Sequence, residues 1–431
     1  MKNGSFIITQ KGIESKIFYL LIFFSCVPYL GYGITLLNFG VEVVGSLNQS
    51  VVLMGGIGKY ISFAKDILTI LLLLIMFTRM SRKNSVILMS FVGMICYGAI
   101  LLMLNGRDVL AFTIAGIRTF MFVLTVILFC KKYYPELHQA KFKITIFKIL
   151  FLTLCINTIL VLLQAISSGS LYRMGSGAYR FSGAFPGSGN LGCYTVAVLL
   201  FVVVVSEEKI INKIISLFAN LMCVFLSVAS GTRTCMVLTV VIFIYSMIHI
   251  YGSSLHFNWK VSLFLTVVLG MAFGTTAIRY LTEYIGRGDL LLSGNGRIEI
   301  FLNSFDSSNP LELILGRGIG VGTNVAITMN LPDTYVSDST YNLIFNQFGI
   351  MGLMIVSITL MYCLYSLFKR CRGNTMAAIC FIISVLSMYI VGNLFEHVAM
   401  SIIFILVYYM IYVDETVSIV GKEYKGDGYC H

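Results

Sequence analysis

With 431 residues, 58% hydrophobic and only 11% charged, and a mean hydropathy of +0.90, the chain carries more apolar surface than a soluble domain can bury. Apolar runs of about 20 residues recur, as a ~30 Å hydrocarbon layer requires of helices, whereas a membrane β-barrel would alternate apolar and polar residues over ~10-residue strands. The formal net charge of +11 follows from where the basic residues sit along the chain. It is no sign of a nucleic-acid partner.

The pattern predicts an all-α, polytopic membrane protein with about twelve transmembrane helices. The spans fall at 17–39, 57–78, 85–104, 109–130, 144–166, 189–206, 214–230, 235–251, 261–278, 339–367, 375–392 and 397–413. Residues 1–413 read as one transmembrane domain and 414–431 as a tail. Lys2, Lys11 and Lys16 precede the first apolar run like the basic region of a signal peptide. The run itself is too long for one, so a retained helix is expected. The longest hydrophilic stretch is 279–338, and 167–188 forms a second polar loop.

Orientation follows from basic residues in the connectors. With the N-terminus inside, 18 Lys and Arg fall on the inner side and 9 on the outer. Both termini are then cytoplasmic, loops 167–188 and 279–338 are extracytoplasmic, and the location is the cytoplasmic (inner) membrane. Of the inner set 14 are Lys, and of the outer set 8 are Arg. Lysine suffices as a topological charge facing anionic head groups. Arginine adds a planar fork of donors that grips phosphate or carboxylate through two bonds. An anionic ligand outside is one reading of this difference. The other is that the arginines pair with Glu283, Asp289, Glu299 or Glu312.

The eleven cysteines lie mostly within apolar runs (Cys26, Cys96, Cys155, Cys223, Cys380) and behave as small apolar residues. No C-x-x-C occurs, and no Cys/His spacing suits zinc, so no metal and no cofactor are expected.

Four outer stretches carry candidate chemistry. The first runs from Arg173 through Tyr179, Arg180, Phe181-Ser182-Gly183 and Pro186 to Asn190-Leu191-Gly192. It is too rich in glycine for a helix, and it ends where a helix N-terminus would favour an anion. The second is Ser230-Gly231-Thr232-Arg233. The third is Gly294-Asn295-Gly296-Arg297, opening an amphipathic stretch. The fourth is Leu315-Gly316-Arg317-Gly318-Ile319-Gly320-Val321-Gly322, which no strand precedes, so neither a dinucleotide fingerprint nor a P-loop fits. Asp338-Ser339 then leads into a span containing Gly349 and Gly352.

In their order and spacing these motifs resemble those of the O-antigen polymerase and O-antigen ligase superfamily, over about residues 110–410. The resemblance implies a helical, glycosyltransferase C-like fold acting on oligosaccharides carried by a polyprenyl diphosphate. Ligases of that family typically have His where Asp338 stands, so a polymerase of O-antigen, capsule or exopolysaccharide repeats is the closer match. The partners implied are the lipid-linked oligosaccharide, the bilayer, a chain-length regulator and a repeat-unit flippase.

The residue chemistry agrees with that reading. Cleaving a sugar–diphosphate bond leaves a dianion, which Arg118, Arg173, Arg180, Arg233, Arg297 and Arg317 could stabilise without a metal. Asp338 could accept the acceptor hydroxyl's proton if partly buried; its bland role is to cap a helix with Ser339. Arg118 lies deep in its span, either paired with Asp66 or facing diphosphate. Tyr179, Asn190, Glu396 and His397 are candidate sugar contacts, although a turn holding Glu396 and His397 can equally be a plain connector. The rival functions are a secondary transporter or flippase for an anionic or lipid-linked saccharide, and an inactive scaffold.

Overall fold

A computed structural model describes residues 2–28, 30, 57–77, 82–167, 181–185, 187–248, 309–332, 337, 339–371 and 375–413. Every regular element among them is a helix. In chain order these are α1 (Lys2–Cys26), α2 (Ile57–Phe77), α3 (Arg82–Leu104), α4 (Val109–Lys132), the short α5 (Tyr134–Leu137), α6 (Ala140–Ser167), α7 (Ser188–Glu207), α8 (Lys213–Ser230) and α9 (Arg233–Ser246). Two short helices, α10 (Pro310–Leu315) and α11 (Asn324–Thr328), precede α12 (Thr340–Arg370), α13 (Thr375–Val391) and α14 (Val398–Ile411). Among the described residues 7 helices are long and apolar enough to cross a membrane, and α9, α13 and α14 are shorter apolar helices. The chain is a multi-pass helical membrane protein.

The helices sort by which faces are apolar. α7 is apolar all round, from Leu191 to Val205, and a helix of that kind is buried on every side. It forms the axis of the bundle, packed by α8, α9, α13 and α14. α2 and α3 bury little of themselves and turn Phe63, Leu74, Met89 and Met103 outwards, as a lipid-facing helix does. Local chemistry sets several ends. Asp108 Oδ1 accepts from the Ala111 amide at 3.1 Å at the start of α4, and Asn212 Oδ1 accepts from Ile214 at 3.0 Å at the start of α8. Gly231, at φ +62°, stops α8 in the left-handed conformation that glycine tolerates.

The ends of the helices gather as alternating spans require. At one end Lys132 Nζ meets the buried Glu14 at 2.8 Å, and the Tyr133 hydroxyl donates to the same carboxylate. There, burial and the Glu14 charge push the Tyr133 hydroxyl above its usual pKa. Lys143 pairs with Glu208, and Arg370 donates to the Tyr412 hydroxyl. The opposite end holds the motif segments.

The structure departs from the sequence expectation in three places. α1 is already helical at Lys2 rather than from residue 17. α12 is broken at Gly349, whose φ of 63° and ψ of −164° lie in a region essentially confined to glycine. Two segments expected as outer loops contain stretches packed inside the bundle. The span at 261–278 and the tail at 414–431 lie outside the described residues.

Candidate functional site

The first inward segment is 181–185, the piece following Arg180. In hydrocarbon every backbone polar group needs a protein partner, and here two amide side chains of α6 supply them. Gln164 makes a reciprocal pair with Gly183: its Oε1 accepts from the Gly183 amide at 3.1 Å and its Nε2 donates to the Gly183 carbonyl at 3.0 Å. Asn157 Oδ1 accepts from the Ala184 amide at 2.9 Å, while its Nδ2 donates to the Thr153 carbonyl at 2.8 Å and to the Cys26 carbonyl at 3.3 Å. Both amides are completely buried. Gly183 stands at φ +58°, and a Cβ there would lie 2.7 Å from Asn157 Oδ1. The Phe181 amide donates to the Ala229 carbonyl at 3.0 Å, which ties this segment to the turn carrying Arg233.

That turn also meets the Asn190-Leu191-Gly192 motif. A Cβ on Gly192 would sit 2.8 Å from Ser230 Oγ and 3.1 Å from Cys235, so glycine is what lets α7 and the α8–α9 turn approach. Asn190 lies half-buried in the first turn of α7, and its amide donates to Gly187 at 3.2 Å. Arg233 is exposed at the first position of α9.

The second inward segment is the glycine run. Gly316, Gly318, Gly320 and Gly322 all have positive φ, from 75° to 109°. Each intervening peptide can therefore turn against a neighbouring helix. The break at Gly349 frees two α12 carbonyls, and this run captures them: the Arg317 amide donates to Asn346 at 2.9 Å and the Gly318 amide to Gln347 at 3.1 Å. Gln347 Nε2 returns a bond to the Val321 carbonyl at 3.1 Å. Ile319, fully buried, presses into notches at Gly98 of α3 and Gly116 of α4, where a Cβ would come within 2.5 Å and 2.4 Å of it. Residues counted as outer loop by their glycine and charge content are thus core. The hydrophilic character came from backbone-permissive glycines rather than from groups that seek water.

A third turn, 392–397, locks both ends of this region. Thr340 donates its amide and its hydroxyl to the Gly392 carbonyl at 2.9 Å, and its Oγ1 accepts from Leu394 at 2.8 Å. Asn393 Nδ2 donates to the Ser337 carbonyl and to Glu396, both at 3.1 Å. Glu396 in turn receives the backbone amide of Asn324 and, at 2.6 Å, its side chain. Glu396 therefore acts as a clasp on the start of α11, and His397 stands at the N-cap of α14. Cys193 Sγ lies 3.8 Å from Met388 Sδ, joining the α7 side of the region to the α13 side.

The arginines divide. Arg118 Nε pairs with Asp66 Oδ2 at 2.9 Å, one of the two roles the sequence left open for it. Arg317 Nε pairs with Glu312 at 3.2 Å, one of the carboxylates named as a loop partner. Arg173, Tyr179, Arg180, Arg297 and Asp338 lie outside the described residues. Ser339 occupies the N-cap of α12 in extended backbone, and its side chain makes no capping bond. Among the described residues no three of His, Cys, Asp and Glu stand close enough to share a metal.

Asn157, Gln164, Asn346, Gln347 and Asn393 shape this region, yet sequence reading passed over them. A signal was available: Asn157 and Gln164 are seven residues apart, on one helix face, within an apolar span where uncompensated amides are costly. No family model matches the chain, and no curated protein is significantly similar to it.

Proposed function

We propose that the protein joins polyprenyl-diphosphate-linked oligosaccharide repeats into a surface polysaccharide at the outer face of the cytoplasmic membrane, with about twelve spans and both termini inside. One observation carries the reading. Segment 181–185, the Asn190 motif, the Arg233 turn, the glycine run and the Gly349 break all assemble at the bundle end opposite the Lys-rich one. Motifs spread over the chain share a location that composition alone does not require.

In this reading an acceptor hydroxyl attacks the anomeric carbon of the donor sugar. The carbon–oxygen bond to diphosphate breaks, and the diphosphate leaves with the electron pair. Asp338 takes the hydroxyl proton. Arg233, with Arg173, Arg180 and Arg297, stabilises the departing charge in place of a metal ion. Arg317 begins with a carboxylate partner and serves to hold the glycine run. Gel analysis of surface polysaccharide from a deletion strain tests this: single repeats without polymer are expected, with loss of polymer also in Arg180→Ala and Arg297→Ala. Unaltered ladders in all three strains refute it.

One set of features favours a second reading, a transporter or flippase. A broken helix, inward non-helical segments and an ion pair within spans are common where substrates cross membranes. Movement of a lipid-linked saccharide through vesicles without lengthening selects that reading.

A further inference from the structure

Three charged side chains on α2 and α4 do not balance. Lys65 Nζ lies 3.6 Å from Asp66 Oδ1, and Arg118 Nε lies 2.9 Å from Asp66 Oδ2. One carboxylate thus serves two cations. The remaining Arg118 contact is Nη2 to Ser62 Oγ at 3.5 Å, a weak bond, and Nη1 has no partner among the described residues. Counted from the starts of their helices, the charges lie about 12–14 Å along.

The cluster opens outwards. The Arg118 side chain is 43% exposed. Phe63 and Ile70 flank Asp66 on α2, Leu110 and Ile114 precede Arg118 on α4, and all four are exposed apolar residues. An uncompensated charge at bilayer depth is costly. An apolar stripe with a net positive notch matches a molecule that has a chain for the stripe and an anion for the notch.

We propose that Lys65, Asp66, Arg118 and Ser62 form a lateral site for the phosphate group of a membrane amphiphile. Arg118 offers Nη1 and Nη2 to the phosphate oxygens, Lys65 offers its ammonium, and Asp66 holds both cations apart in the empty site. The inference rests on the membrane placement of α2 and α4 and not on glycan joining. Two sources share this chemistry, a phospholipid head group and a polyprenyl diphosphate.

Native mass spectrometry of the purified full chain separates them, with phosphatidylglycerol, undecaprenyl diphosphate or phosphate-free diacylglycerol added at equal ratio. Wild type is expected to hold one phosphate-bearing amphiphile at least tenfold more tightly than diacylglycerol, and the tighter of the two phosphates names the source. R118Q should lose that preference about tenfold. D66N should strengthen binding several-fold, because the competing carboxylate is gone. This opposite sign keeps the test decisive if one variant folds poorly. Equal retention by wild type and both variants overturns the site. So does weakening by D66N in a folded protein, and so does absence of phosphate preference, the result if Lys65 carries no proton. The assay contains no sugar, so its failure leaves glycan joining standing, and loss of polymer would leave this site standing.

Discussion

The two ends of the bundle are closed by different means. The Lys-rich end is sealed by ion pairs and hydrogen bonds to charged groups: Glu14 with Lys132 and Tyr133, Lys143 with Glu208, Arg370 with the Tyr412 hydroxyl. The other end is built from non-helical backbone held by neutral amides and admitted by glycines. An ion-paired end is finished. At the amide-held end the carboxylates are few and already engaged, Glu312 with Arg317 and Glu396 with Asn324 among the described residues, and under the proposed function Arg233 meets an anion on the surface that the amides shape. The contrast teaches that the same membrane constraint on backbone polar groups is met beside a charge-sealed plug at one end and by an amide-held scaffold at the other.

Breaking the scaffold at its tightest glycine should have the largest effect. A Cβ on Gly320 would lie 2.0 Å from the Phe112 carbonyl oxygen, at φ +86°. Gly320→Val is expected to abolish monodisperse protein in size-exclusion chromatography, a loss of about 4 kcal/mol or more. Gly93→Ala, with open space around it, should behave as wild type and serves as the control.

At the plug, Glu14→Gln removes the carboxylate that Lys132 and Tyr133 share. Breaking a buried pair costs about 3–5 kcal/mol, discounted here because Lys132 is 24% exposed. A fall of several degrees in melting temperature is expected, with polymer length unchanged in the protein that remains folded. Gln164→Ala sits next in order. It strips both partners from Gly183, at about 1–3 kcal/mol, and should cut polymerisation as well, because segment 181–185 loses its anchor. Equal effects of Glu14→Gln and Gln164→Ala on polymer made per folded molecule would erase the distinction between the ends. The smallest change is Asp108→Ala, which removes the cap of α4 and should cost about 1 kcal/mol with no effect on polymer.

Much of the architecture was legible as residues. Apolar runs marked most of the described helices within a few positions of their ends. Depth counting singled out Asp66 and Arg118 but left Arg118 either paired with Asp66 or facing diphosphate; the structure shows the pair. The inward segments were not legible, because glycine reads alike in a solvent turn and in a close-packed crossing. Only the partner decides, and Ile319 finds its partners, Gly98 and Gly116, some 200 residues away by position. The break at Gly349 hid for the same reason: a glycine inside an apolar run is unremarkable until another segment needs the carbonyls it frees.

The central claim is that the amide-held end joins lipid-borne sugars. Purified protein in lipid vesicles, given a polyprenyl-diphosphate-linked oligosaccharide and a chelator of divalent ions, tests it most directly. The account predicts a ladder of products longer than one repeat, lost in Arg233→Ala. A substrate that stays a single repeat, whether or not it crosses the bilayer, would contradict it.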